Sequence, residues 1–383
     1  MKTLLVTEIF PPQTGGSGRW FWEMYRRLPS DQFSIAAGHH EDQSHFDPDV
    51  NQPIYRLPLT LKEWGLLGKG GFSGYLRAVL QIQKLIRKNQ IRQIHCGRCL
   101  PEGLMALFCK LGLGVPYIAF VHGEDVSTAR ASRELSWLIK RVLCHSQYLI
   151  ANSHHTSRIL KEVWSVPESR VVVLYPGVDT HAFCPAPMDP LTRSRLGWSN
   201  RRVILTVGRL QARKGHDHLI QSLRSIIERV PDVLYSIIGQ GEERSRLEKL
   251  VVAEDLGSYV QFRNQISDQE LVQCYQQCDL FVLPNRQVND DLEGFGMVLL
   301  EAQACGKAVI AGSSGGTSET MQTPETGLIV DCDHSGELAM SITDLLLDED
   351  RRHRMGDLAR TWVVQRFDWE ALTKQAYELF VPE

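Results

Sequence analysis

An α/β chain of two doubly wound, Rossmann-like domains is what this sequence predicts, and three observations carry the prediction. Its 383 residues are long for one compact domain and comfortable for two. Short β-branched apolar runs alternate with longer stretches of helical period from end to end. A proline-rich segment interrupts that alternation once, after which it starts again.

The candidate strands of the first half are 3–6, 34–37, 54–57, 93–96, 117–121, 149–152 and 171–174. Those of the second half are 203–207, 234–238, 260–263, 280–283, 308–311 and 328–330. Helical period marks 74–89, 133–145, 218–230, 243–254 and 296–305 between them. Such alternation implies parallel sheets covered by helices on both faces. The break follows Pro176. Residues 179–200 hold Pro185, Pro187 and Pro190 with little periodicity, as a linker would. The expected organisation is a first domain over 1–178, a linker over 179–200 and a second domain over 201–366. Two such domains facing each other would set both groups of strand C-terminal ends on a central cleft, where open α/β sheets bind ligands.

Apolar residues make up 43% and charged residues 23%, the balance of a soluble globular enzyme. The net charge of -3 argues against a nucleic-acid partner, which selects for a basic excess. No apolar run approaches the roughly 18 residues of a membrane-spanning helix. The opening MKTLLVTEIF reads as a strand and is too short for a signal peptide, so a cytoplasmic location is expected. The nine cysteines are odd in number and scattered. Cys96 and Cys99 form a C-x-x-C with no second pair to complete a zinc site, and they read as buried or incidental thiols.

The strongest chemical signal is Glu293-Gly294-Phe295-Gly296-Met297-Val298-Leu299-Leu300-Glu301, which follows a strand and opens a helix. Gly294 and Gly296 let backbone approach a ligand, and free N–H groups at a helix start suit a phosphate. Glu293 can accept hydrogen bonds from sugar hydroxyls, and Glu301, about two turns along, can reach another part of the same ligand. The plainer reading makes these a capping and a solvated glutamate. The second signal is Gly208-Arg209-Leu210-Gln211-Ala212-Arg213-Lys214-Gly215, just past a strand. The helix dipole disfavours cations such as Arg209 and Lys214 at a helix start unless an anion lies between them. A pyrophosphate would explain them, with arginine binding as a fork and lysine as a point charge. Arg213 reads as solvated surface charge.

Glycine turns also follow strands at Gly15-Gly16, Gly239-Gln240-Gly241 and Gly315-Gly316. The first lacks the G-x-G-x-x-G spacing of a dinucleotide fingerprint, which weakens a dehydrogenase reading. His122 ends a strand in Val121-His122-Gly123-Glu124-Asp125 and can face a cleft. A lone histidine is as readily structural.

Taken in order, these motifs resemble glycosyltransferase family 4, a family of retaining enzymes with the GT-B fold. The Gly-Gly loop within PPQTGGSG, VHGED, NSHHT at 152–156, YPGVD at 175–179, GRLQARKG, IGQGEE, the spaced glutamates and GGTSE span nearly the whole chain. The resemblance implies that Arg209 and Lys214, beside Gly208, bind the donor pyrophosphate, and that Glu301 binds the ribose. Glu293, with the backbone of Gly294, Phe295, Gly296, Met297 and Val298, would hold the transferred sugar and the distal phosphate. Gly15 and Gly16 would approach the phosphates, and His122 would sit beside the sugar and acceptor. Gly239 and the loop at Arg263–Gln265 would contact the base. Residues 367–383, with a helix at about 370–380, would cross back to the first domain. The implied reaction is front-face transfer, in which the leaving phosphate helps to deprotonate the acceptor hydroxyl and no enzymic nucleophile takes part. No metal or other cofactor is required on this reading. Asp331-Cys332-Asp333 has the spacing of a metal-binding D-x-D but reads as a turn.

The loop Asn285-Arg286-Gln287-Val288-Asn289-Asp290-Asp291 and the run VIAGSSGGTSE are similar to those of bacterial phosphatidylinositol mannosyltransferases. That tilts the donor toward GDP-mannose and leaves UDP-glucose and related UDP-sugars open. The acceptor is expected on the first domain, as a glycan, lipid-linked or small-molecule hydroxyl. Between 61 and 100 lie Lys62, Lys69, Arg77, Lys84, Arg87, Lys88, Arg92 and Arg98 against Glu63 alone, with Trp64, Leu66, Leu67, Phe72 and Tyr75 nearby. Such a surface suits anionic lipid headgroups and a peripheral position on the inner membrane face. An ordinary solvated helix with an apolar inner side is the competing reading. Rival functions for the chain are a sugar-nucleotide epimerase, a phosphorylase dependent on inorganic phosphate, and a non-catalytic scaffold.

Overall fold

The computed structural model describes residues 2–13, 15–264 and 266–381. Thr14 of the first glycine loop and Gln265 of the expected base-contacting loop lie outside them. The chain divides into two compact units, residues 1–176 with 369–383, and residues 177–368.

The first unit is built on a parallel sheet of β1 (Thr3–Thr7), β2 (Phe33–Gly38), β3 (Ile54–Leu57), β4 (Gln93–Cys96), β5 (Tyr117–Val121), β6 (Leu149–Ala151) and β7 (Val171–Val173). Their order is β3-β2-β1-β4-β5-β6-β7, with Leu5 opposite Ile35 on one side and His95 on the other. Helices cover both faces, so β1, β2 and β5 are buried at every residue and read as unbroken apolar runs. The terminal helix Trp369–Phe380 belongs to this unit. Its Phe380 ring packs 4.4 Å from His95 and 6.3 Å from Phe120.

The second unit carries the parallel sheet β10-β9-β8-β11-β12-β13. Its strands are β8 (Arg202–Val207), β9 (Val233–Ile238), β10 (Val260–Arg263), β11 (Leu280–Leu283), β12 (Val309–Gly312) and β13 (Leu328–Val330). The helix His216–Arg229 turns Leu219, Ile220, Leu223 and Ile226 onto the sheet at helical spacing. Strand order reverses between β1 and β4 in one unit and between β8 and β11 in the other. These are the positions where doubly wound sheets open a crevice.

Two expectations change. Residues 179–200 are not a free linker but part of the second unit. Asp189 caps the helix Pro190–Arg195, accepting from Leu191 N at 3.2 Å and Thr192 N at 3.0 Å, and Pro190 takes the first turn. Buried Arg193 donates to the carbonyls of Gln277, Ser199 and Arg201, and Trp198 Nε1 donates to Gln261 at 2.9 Å. The expected helix 74–89 starts earlier, as Lys69–Asn89, because Gly70, Gly71 and Gly74 weaken the helical signal at its start.

Candidate active site

In the second unit, the loops leaving β8 and β11 form a buried charge cluster. After β8 the chain passes Arg209 and makes a tight turn at Ala212–Lys214. Gly215 follows at φ +69°, where a Cβ would stand 1.8 Å from the Pro284 carbonyl, so only glycine lets the turn meet the exit of β11. Buried Lys214 places Nζ 2.5 Å from Glu293 Oε2. Arg213 donates to the same oxygen at 2.6 Å, and its Nε lies 3.2 Å from Asp291. A second glycine, Gly315, has φ +69° and sits where a Cβ would come 1.7 Å from the Glu293 carbonyl. Gly316 N donates to that carbonyl at 3.0 Å. Arg213 is therefore buried rather than solvated, a correction to the sequence reading. Its partner lies 80 residues away, beyond the reach of spacing rules.

Burial alone would raise the Glu293 carboxyl, but Lys214 and Arg213 outweigh it and hold the group below its ordinary value. Burial pushes Lys214 down, Glu293 opposes this, and the Arg213 and Arg209 guanidiniums add to the lowering. Arg209 is exposed, with no hydrogen-bonded or carboxylate partner for its side chain among the described residues. Lys214 and Arg213 thus hold one buried carboxylate and one half-exposed aspartate, with a third cation, Arg209, acting on Lys214. Such a cluster is prepared to receive an anion.

Glu301 sits on the helix Met297–Ala304, which is buried from Leu299 to Ala304. A carboxylate there needs partners, and Tyr275 donates its hydroxyl to Glu301 Oε2 at 2.6 Å. Tyr275 packs 5.7 Å from Phe183 and 5.6 Å from Phe281. Gly296 caps this helix, with half-exposed Met297 and Val298 in its first turn and Gly294 just before it. The Phe295 ring turns inward onto Phe367 at 5.9 Å, so backbone is what it can offer a ligand.

Gly208 and Gly239 end the neighbouring strands β8 and β9. Gly208 N donates to Ile238 O at 2.9 Å and Gly239 N to Arg263 O at 3.1 Å. Arg263 is placed differently from expectation. Its guanidinium is tied to the Leu196 carbonyl at 3.0 Å and to Glu270, which leaves it a structural bond within the unit. Sequence reasoning passed over Arg286 and Tyr275. Arg286 grips Asp217 through both terminal nitrogens at 2.8 and 3.0 Å, fastening the β11 loop to the helix His216–Arg229. Burial would raise the Asp217 carboxyl, yet Arg286 and Arg246 hold it well below the usual range. No short motif announces either pair, because the partners lie 69 and 26 residues apart.

In the first unit, Gly15 precedes the helix Gly16–Tyr25, and a Cβ at Gly16 would meet nothing within 4 Å. His122 directly follows β5. Its Nε2 donates to the Gly97 carbonyl at 2.8 Å, which leaves Nδ1 as an acceptor. Asp125 accepts from His122 N at 3.0 Å, and the ring stands edge-on to Trp20 and Phe21. Beside it lies a cluster the sequence did not disclose. Arg98 pairs with Glu8 and, at 3.3 Å, with Glu102, while its guanidinium covers Trp64 at 5.3 Å. Arg98 therefore leaves the expected basic surface for this site.

Among the described residues no group of three His, Cys, Asp or Glu side chains could hold a metal. Asp331-Cys332-Asp333 forms a turn closed by Asp333 N on Asp331 at 2.9 Å. Cys96 and Cys99 are buried free thiols, pushed up by that burial. No helix among the described residues is long and apolar enough to cross a membrane.

Residues 14–182 match the family model described as Glycosyltransferase Family 4, and residues 190–362 match Glycosyl transferases group 1. A GDP-mannose-dependent alpha-(1-6)-phosphatidylinositol monomannoside mannosyltransferase of Mycobacterium tuberculosis is 30% identical, over 97% of this chain and 96% of the relative. A GDP-mannose-dependent monoacylated alpha-(1-6)-phosphatidylinositol monomannoside mannosyltransferase of Corynebacterium glutamicum is 30% identical, over 100% and 98%. Among solved structures, Anabaena HepE in complex with UDP superposes with a TM-score of 0.83 at 21% identity, over 99% of both chains. Sucrose-phosphate synthase from Thermosynechococcus elongatus does so with a TM-score of 0.83 at 22% identity, over 99% of this chain and 98% of that one. These structures share the two-unit fold.

Proposed function

Since the chain belongs to glycosyltransferase family 4, and is thus a hexosyltransferase that draws on a nucleotide sugar, we propose that it moves mannose from GDP-mannose, with retention, to a hydroxyl of a lipid-linked acceptor at an anionic membrane face on the cytoplasmic side. The observation that carries the chemistry is the buried cluster of Lys214, Arg213 and Glu293 beside exposed Arg209. The named donor of the mannosyltransferase relatives supports the choice of GDP-mannose.

On this reading the donor diphosphate takes up the positive excess at Arg209 and Lys214. Glu293 accepts hydrogen bonds from the sugar, and Glu301 does so from the ribose. The acceptor oxygen bonds to the anomeric carbon on the face from which the phosphate departs. The anomeric carbon–oxygen bond breaks, and a phosphate oxygen takes the acceptor proton. Lys214 and Arg209 stabilise the charge growing on the leaving group. His122, anchored through Nε2, offers Nδ1 to a hydroxyl. None of these steps requires a metal or other cofactor.

Calorimetric titration with GDP-mannose, UDP-glucose and UDP-N-acetylglucosamine tests the reading, beside a Lys214→Ala control. GDP-mannose is expected to bind and the control to bind it more weakly. Binding of UDP-glucose alone would overturn the donor assignment, and binding of no nucleotide sugar would overturn the site.

A further inference from the structure

The helix Lys69–Asn89 buries Tyr75, Ala78, Val79, Ile82 and Ile86 in the core of the first unit. Its outer side is not the charged face of an ordinary surface helix. Phe72, Leu76 and Leu80 recur every four residues and are 60%, 51% and 58% exposed. Arg77, Lys84 and Lys88 flank that strip and Arg87 continues it, all exposed. No acidic residue occurs between Glu63 and Glu102, and Glu102 is buried.

The loop ahead of the helix extends the patch. Leu66 N and Leu67 N both donate to Glu134 Oε1, at 2.5 and 2.9 Å, which leaves the Leu67 side chain 87% exposed. Glu134 opens the helix Arg133–His145. Trp137, three residues on and so on the same face, is 54% exposed with the Arg141 guanidinium 5.1 Å from its ring. Lys140 and Arg141 are exposed as well. The Glu134 clamp thus brings Leu67, five residues ahead of the strip, to the helix that carries Trp137.

We propose that this composite surface (Leu67, Phe72, Leu76, Leu80 and Trp137, ringed by arginine and lysine) docks the chain on an anionic lipid bilayer. The inference deepens the lipid-linked acceptor reading and rests on it for the presence of a membrane. Apolar side chains exposed in a row with basic neighbours match a bilayer interface, where the chains enter the acyl boundary and the cations meet phosphate. Tryptophan is suited to headgroup depth, and long basic side chains can lay their stems on the apolar layer. A second copy of this chain would bring like charges together on the same patch, which disfavours self-association there.

Flotation of the full chain with vesicles of phosphatidylcholine, with and without phosphatidylglycerol, tests the proposal. Phe72→Ser with Leu76→Ser, and separately Lys140→Glu with Arg141→Glu, are compared with the unaltered chain. GDP-mannose titration and circular dichroism on the same samples check that each variant folds. Binding to anionic vesicles is expected, weakened about tenfold by either double substitution and by salt, with donor binding intact. Unchanged vesicle binding by both variants would overturn this surface and leave the membrane reading standing. Absence of binding by the unaltered chain would overturn both, while donor binding in the same sample would still uphold the transferase site. Equal binding to neutral vesicles would overturn the role of charge. Self-association in solution, abolished by the same substitutions, would assign the face to a second copy and overturn the proposal.

Discussion

The two units place polar clusters at equivalent positions, where strand order reverses, but they balance charge in opposite ways. In the second unit Lys214 and Arg213 meet Glu293, Arg213 also meets the half-exposed Asp291, and exposed Arg209 adds a third cation beside Lys214. In the first, one cation, Arg98, is shared by the carboxylates of Glu8 and Glu102, next to His122 with its Nε2 already bonded. A positive excess draws a diphosphate, whereas a carboxylate excess accepts hydrogen bonds from hydroxyls. On the proposed function, the same architecture would serve a charged donor and a hydroxyl-bearing acceptor through the residues at its strand ends.

Removing one cation from the positive cluster breaks the comparison most forcefully. Lys214→Ala is expected to lower kcat about 10²–10³-fold, the effect of losing one preorganised donor to developing charge, or roughly 3–4 kcal/mol. Steady-state kinetics with circular dichroism as a folding control measures it. Near-normal turnover in a folded variant would remove Lys214 from the chemistry and leave it a mere counter-charge for Glu293.

A second contrast concerns buried histidines. Burial lowers His95 in the first unit to about 3, and burial with Lys214 lowers His216 in the second to about 4. Each folded-state value lies below the unfolded one. Between pH 6.5 and 4 the unfolded chain therefore binds protons that the folded chain refuses, and stability falls as pH falls. The loss over that window is about 3 kcal/mol for each group. His95 holds Tyr25 OH at 2.6 Å and packs on Phe380, so the terminal helix should loosen first. Urea unfolding at pH 6.5 and 4.5 is expected to show a smaller acid loss in His95→Gln than in the unaltered chain. An identical loss would show that His95 does not carry the acid sensitivity.

Much of this was legible in the sequence, for a physical reason. Strands buried on both faces appear as unbroken apolar runs such as TLLVT and YIAFV, and each of the thirteen strands among the described residues falls on a candidate position. Lys214 and Glu293 stood out because glycines adjoin them in loops that follow strands, and Glu301 because it lies about two helical turns past Glu293. Arg213 was misjudged because its value depends on Glu293 and Asp291, which no local pattern connects to it. Residues 179–200 resemble a linker in composition, and only the anchoring of Arg193 and Trp198 reveals them as part of the second unit. The carboxylate cluster around Arg98 was hidden because the same arginine counts equally well toward a basic surface.

The finest test of the donor side is Tyr275→Phe. The substitution keeps the ring against Phe183 and Phe281 and removes the hydroxyl that holds Glu301 Oε2 at 2.6 Å. If Tyr275 positions Glu301 for the ribose, the variant loses about 1 kcal/mol of donor affinity, or roughly fivefold. The loss should fall on the ribose hydroxyls alone. Titration with GDP and with 2′-deoxy-GDP separates this from general damage. The unaltered chain should prefer GDP, and the variant should lose most of that preference while binding 2′-deoxy-GDP as before. Equal weakening toward both nucleotides would mean that Tyr275 supports the fold around Glu301 rather than its aim, and the two units would then differ in charge but not in how finely their carboxylates are set.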